Sequence, residues 1–134
     1  MSKAKPTVID LFCGCGGLSY GFIEAGYEVV LGIDHWQDAI KTFEHNHKDS
    51  KGLVADLFNE TPKEISKKTG IKKADIIIGG PPCQGFSIAG KRIVDDERNK
   101  LYKSFVSFVE FYKPQVFLME NVPNIVSMGK GVVK

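Results

Sequence analysis

Cysteine is scarce in this 134-residue chain: Cys13, Cys15 and Cys83. An odd, sparse set does not make a disulfide framework, so a reducing, intracellular compartment is expected. Charge of one sign is also lacking. The net charge of +2 is too small to argue for nucleic acid by itself. Long apolar runs are missing too. Residues 1–6 are polar and basic with no apolar segment behind them, and residues 8–12 are interrupted by Asp10. That pattern gives neither a signal peptide nor a membrane span. No internal repeat or low-complexity tract is visible. The length suits one small domain with a real core. The 43% hydrophobic and 25% charged residues are an ordinary globular balance.

What is present is a set of short apolar runs, each ending in a special residue. Residues 7–12 read as a first strand, followed by the turn Gly14–Gly17. Residues 18–25 read as a helix stopped by Gly26. Residues 28–33 form a second strand ending at Asp34. Residues 36–46 are helical, with Trp36, Ala39, Ile40 and Phe43 on one inward face. Residues 53–55 form a third strand ending at Asp56. Pro62 opens a helix reaching about residue 68. Residues 75–78 form a fourth strand, 80–99 a long loop, 100–112 a helix, and 115–119 a fifth strand ending at Glu120. Strands alternating with helices imply an α/β fold with a doubly wound, mainly parallel sheet. The glycine turn, Asp34, Asp56, Cys83 and Glu120 then share one edge of that sheet, where such folds place ligands and chemistry.

Gly79-Gly80-Pro81-Pro82-Cys83-Gln84 is the most informative stretch. Two prolines end the strand before it and fix their own φ. Cys83 is thus presented on a stiff loop, a candidate nucleophile acting as thiolate. An inert buried thiol is the competing reading. The glycine turn fits the start of the dinucleotide pattern G-x-G-x-x-G through Gly14 and Gly16, but Ser19 takes the third glycine position. That weakens a nicotinamide or flavin assignment. Asp34 stands where such folds bind ribose hydroxyls, and Asp56 can accept from an adenine amino group. Either could instead cap a helix. Together with the turn they favour an adenosine-containing cofactor. Metal is not expected: Cys13, Cys15, His35, His45 and His47 do not converge, and His45 and His47 diverge on a helix. Lys91, Arg92, Arg98, Lys100 and Lys103 cluster after Cys83; from charge alone they read as a solvated face.

The fifth strand, Val116-Phe117-Leu118-Met119, has the composition of a strand buried on both faces. With little chain after it, it would lie at a bare sheet edge. The expectation is that the domain is incomplete, or that a second polypeptide supplies more strands.

Taken together, these residues resemble the C5-cytosine-specific DNA methyltransferase family. Asp10-Leu11-Phe12-x-Gly14-x-Gly16-Gly17, continuing to Gly21-Phe22, is similar to its first motif. Gly80-Pro81-Pro82-Cys83-Gln84 is similar to its catalytic motif, and Glu120-Asn121-Val122 to its glutamate motif. The resemblance covers nearly the whole chain but only the N-terminal part of the family's catalytic region, with no target-recognition domain. It implies a Rossmann-like fold, S-adenosylmethionine as cofactor, duplex DNA with a flipped cytosine as partner, and a restriction-modification setting in a bacterial cytoplasm. Phe12, Gly14 and Gly17 would contact the methionine part and Asp34 the ribose. His35 would lie near the adenine, Asp56 and Leu57 at its amino group, and Pro82 and Leu101 would line the pocket. Cys83 would add to cytosine C6 and Glu120 would hydrogen-bond N3, burial favouring its protonated form. Gln84, Ser87, Lys91, Arg92 and Arg98 would belong to a DNA-binding loop. By this resemblance the 134 residues alone are expected to be inactive. A tRNA cytosine methyltransferase and a non-catalytic, cofactor-binding half of a split enzyme are the alternatives.

Overall fold

A computed structural model describes residues 4–82 and 101–120. Five strands form one parallel sheet: β1 (Thr7–Leu11), β2 (Glu28–Asp34), β3 (Lys51–Val54), β4 (Ile76–Gly79) and β5 (Val116–Met119). Their order is β3-β2-β1-β4-β5. β1 pairs with β2 on one side and β4 on the other, so the winding reverses at its ends. Four helices connect the strands: α1 (Gly17–Glu24), α2 (Gln37–Asn46), α3 (Pro62–Thr69) and α4 (Leu101–Tyr112). The sheet is the doubly wound one expected from the alternation of elements. Among the described residues, no helix is long and apolar enough to cross a membrane.

Strand side chains alternate between faces, and two cores result. Ile9, Leu11, Leu31, Ile33 and Ile77 pack with Ile65 of α3 and with Phe105, Phe108 and Tyr112 of α4. Val8, Val29 and Ile78 pack with Ile40 and Phe43 of α2 on the other face. A register shift between Val8 and Ile9 lets Val30 and Leu31 both serve the first core. Gly32 leaves room for the Phe43 ring, which a Cβ there would meet at 2.4 Å. Thr61 and Glu64 close a capping box on α3, with Pro62 in its first turn.

Two expectations need correction. Trp36 is not core: it lies 63% exposed, just before α2. Its N–H donates to Asp34 Oδ1 (3.0 Å), which keeps residue 36 extended and starts the helix at 37. The third strand begins at Lys51, not 53, because pairing with β2 runs from Leu31↔Lys51 to Asp34↔Val54. Lys51 and Gly52 carry no apolar signal, but a Cβ on Gly52 would meet Ile40 and Glu44 of α2. The expected loop over 80–99 lies outside the described residues beyond Pro82.

Candidate active site at the carboxyl ends of the strands

The β1–α1 turn is tightly built. Phe12 (φ 55), Gly14 (φ 55) and Gly16 (φ 94) all take left-handed backbone. Glycine accepts this readily, whereas Phe12 is strained, as residues at ligand sites often are. Cys13 N–H donates to Ile33 O and Gly16 N–H to Cys13 O, each at 2.9 Å. Beneath the turn, fully buried Ser19 donates its hydroxyl to Asp10 Oδ2 at 2.5 Å. Ser19, which breaks the dinucleotide pattern, thus ties α1 to β1 by a hydrogen bond where a glycine would only permit close packing. Burial pushes the Asp10 carboxyl from its ordinary 3.8 to about 7; the negative Asp34 adds to this and the Ser19 hydroxyl opposes it. The Cys13 thiol is also raised by burial, then by Asp10 and Asp34, so it stays protonated and donates to Gly14 O. Cys15 is exposed. A Cβ on Gly14 or Gly17 would meet nothing within 4 Å, so the backbone there is open to a ligand.

Asp34 closes β2 and is fixed from two sides. Gly14 N–H donates to its Oδ2 (2.9 Å) and Trp36 N–H to its Oδ1. His35 Nδ1 is 3.5 Å from Oδ1, on an exposed ring. Asp56 follows β3 and is also fixed, accepting from Phe58 N–H (2.9 Å) and from the Asn59 side-chain amide (2.7 Å). It opens a turn, and Thr61 is the actual cap of α3.

These residues converge. Phe12, Asp34, His35, Ala55, Asp56, Leu57, Pro82 and Leu101 line one narrow hollow of about 30 Å³. Of the expected cofactor residues, Gly14 touches this group through Asp34, and Gly17 lies in a neighbouring cleft. Ala55 and Asn59 belong to the surroundings but carry no recognisable motif. Glu120 follows β5, and its N–H donates to Gly79 O (2.9 Å). A Cβ on Gly80 would come within 2.8 Å of Glu120 Oε2, so the carboxylate lies against the Gly80 backbone. The structure therefore sets the glutamate beside the segment that leads to Cys83. Glu120 is exposed, contrary to the expected burial, because it stands at the end of the edge strand. Cys83, Gln84, Ser87, Lys91, Arg92 and Arg98 lie outside the described residues.

Known proteins resemble this chain in sequence and in fold. The chain is 43% identical over 127 residues to the type II methyltransferase M.AgeI of Thalassovita gelatinovora, covering 93% of this chain and 30% of that one. It is 45% identical over 121 residues to M.DdeI of Desulfomicrobium norvegicum, covering 90% and 29%. Among solved structures, a protein described as a DNA modification methyltransferase encoded within an E. coli prophage superposes with a TM-score of 0.78 at 40% identity. That match covers 94% of this chain and 34% of that protein. The chain thus spans about a third of each of these three relatives, and its fold is that of Rossmann-like methyltransferases. The model of the C-5 cytosine-specific DNA methylase family matches residues 6–134, from the first strand through the glycine turn, the Pro-Pro-Cys segment and Glu120. On this match over residues 6–134, and with relatives 43% and 45% identical, the chain belongs to the C-5 cytosine-specific DNA methylase family.

Proposed function

We propose that this chain forms the N-terminal part of a catalytic domain that methylates C5 of cytosine in DNA. The observation that carries the reading is the placement of the Glu120 carboxylate against Gly80, three residues before Cys83, at the end of β1's neighbour β4.

The hollow suits S-adenosylmethionine in its chemistry. Its walls are apolar at Phe12, Leu57, Pro82 and Leu101, and two fixed carboxylates stand at it. Asp34 can accept from ribose hydroxyls and Asp56 from the adenine amino group, each through lone pairs left after the partners it already has. The open backbone at Gly14 and Gly17 suits the methionine part. The hollow is smaller than a purine, so it must widen to admit one. When bound, this cofactor supplies an electrophilic methyl group on a sulfonium.

The remaining steps belong to the chain. Cytosine C5 is a poor nucleophile. Bonding of the Cys83 thiolate to C6 makes C5 an enamine carbon that can take the methyl group. Loss of the C5 proton and cleavage of the C6–S bond restore the ring and the thiolate. Glu120 stabilises the charge that develops at N3. The base must leave the duplex to reach the thiol. Cys13 is kept protonated by burial, which leaves Cys83 of the Pro-Pro-Cys sequence as the candidate thiolate. Such an enzyme works inside the cell, on DNA.

The test is Cys83→Ala in the whole protein, with labelled methyl transfer measured on mixed-sequence duplex DNA and, in parallel, on tRNA. Transfer to DNA should fall by about a thousandfold or more. Retained transfer would refute the nucleophile, and transfer to tRNA alone would refute the substrate.

A further inference from the structure

The glycine turn is held from outside by a histidine that no motif includes. His47 follows α2 and is 5% exposed. Its ring packs on Phe43, centroids 4.8 Å apart. Its own backbone is fixed, N–H donating to Phe43 O and carbonyl accepting from Ser50 N–H. The ring Nε2 lies 3.0 Å from the carbonyl oxygen of Gly16. A carbonyl can only accept, so Nε2 carries the proton.

Gly16 is where the turn becomes α1. Its carbonyl also accepts Tyr20 N–H (2.9 Å), the bond that opens the helix. A Cβ on Gly16 would stand 2.3 Å from His47 Nε2 and 2.7 Å from the Phe43 ring. The two rings therefore fill the place of a side chain, and the backbone rests directly on them. Asp34 and Ile33 anchor Gly14 and Cys13, but neither reaches Gly16. The turn and His47 also border a cleft of about 350 Å³ lined by Cys15, Gly16, Gly17, Tyr20, Asn46 and His47.

We propose that His47 is a positioning residue: its Nε2–H, bonded to the Gly16 carbonyl, fixes the glycine turn in the form that receives the methionine part of S-adenosylmethionine. The choice of ligand rests on the proposed function; the clamp itself does not.

The experiment compares His47→Phe, which keeps an aromatic ring without a donor, with His47→Gln, which restores a donor at similar reach. Four quantities are measured on the 134-residue chain. They are thermal unfolding, amide exchange and Cys15 alkylation over residues 13–20, and S-adenosylmethionine affinity by calorimetry. His47→Phe should unfold near the wild-type temperature, exchange and alkylate about three- to tenfold faster in the turn, and bind the cofactor about three- to tenfold more weakly. His47→Gln should restore both. Wild-type exchange and alkylation in His47→Phe would overturn the clamp. A loosened turn with unchanged cofactor affinity would overturn its role in binding. A turn loosened in His47→Phe, together with no cofactor binding by the unsubstituted chain, would leave the clamp supported and sink the cofactor assignment instead. Should His47→Phe not fold, His47→Asn takes its place, since its donor is too short to reach Gly16.

Discussion

Replacing Asp10 by asparagine should stabilise the protein, and increasingly so as pH rises. Asp10 is 1% exposed and its carboxyl titrates near 7 rather than 3.8, chiefly through burial. The folded chain therefore holds a proton that the unfolded chain releases between those two values. Stability from that proton is fully present below about pH 3.8 and is lost as pH rises through 7. The whole effect is on the order of 4 kcal/mol at 1.36 kcal/mol per pKa unit. Asparagine is neutral throughout and keeps an oxygen to accept the Ser19 hydroxyl. The variant's advantage should grow by about 2–3 kcal/mol between pH 5 and pH 8. Urea unfolding of both proteins at several pH values gives it directly, and the difference cancels the groups they share. An advantage that stays flat to within about 0.5 kcal/mol, or shrinks with rising pH, would refute the placement of a charged-state penalty at Asp10.

Two further outcomes are expected. Gly79→Ala should cost about 2–3 kcal/mol in urea unfolding, because the new Cβ would lie 2.4 Å from the Leu11 carbonyl oxygen inside the β1–β4 ladder; a loss under about 0.5 kcal/mol would contradict the register. Phe117→Lys should reduce self-association of the 134-residue chain in sedimentation velocity, since Phe117 is 55% exposed on the edge strand; an unchanged distribution would show that this face does not drive association.

Much of this architecture is written locally. Ile76-Ile77-Ile78 and Val8-Ile9 read as strands because parallel strands covered on both faces need continuous apolar runs. Polar residues interrupt those runs where the strands end, so Asp34, Asp56 and Glu120 could be placed before any coordinates. Trp36 misled because helical spacing cannot reveal that the Asp34 carboxylate captures its N–H and keeps it extended. Lys51 and Gly52 pair with β2 through backbone alone, which leaves no trace in hydrophobicity. Phe12 carries a left-handed backbone that no residue pattern announces. His47 sits in a polar stretch, Glu44-His45-Asn46-His47, in which the fourth residue alone is buried. Its role depends on a contact across 31 positions of sequence, beyond the reach of any local rule.

The edge strand links these levels. Val116, Phe117 and Leu118 are 58%, 55% and 45% exposed, although their composition is that of a strand covered on both sides. Phe117 meets Phe105 of α4 edge to face, so one face has partial support. The outer edge of β5 has no strand partner among the described residues. Glu120 follows directly, its N–H on Gly79 and its carboxylate against Gly80. A surface laid over β5 would therefore also change the solvent around that carboxylate. Proton donation to a cytosine N3 requires a protonated glutamate at neutral pH, and exclusion of water is what raises a carboxyl's affinity for its proton. On the proposed function, a surface laid over the apolar edge would therefore also shield the Glu120 carboxylate from water.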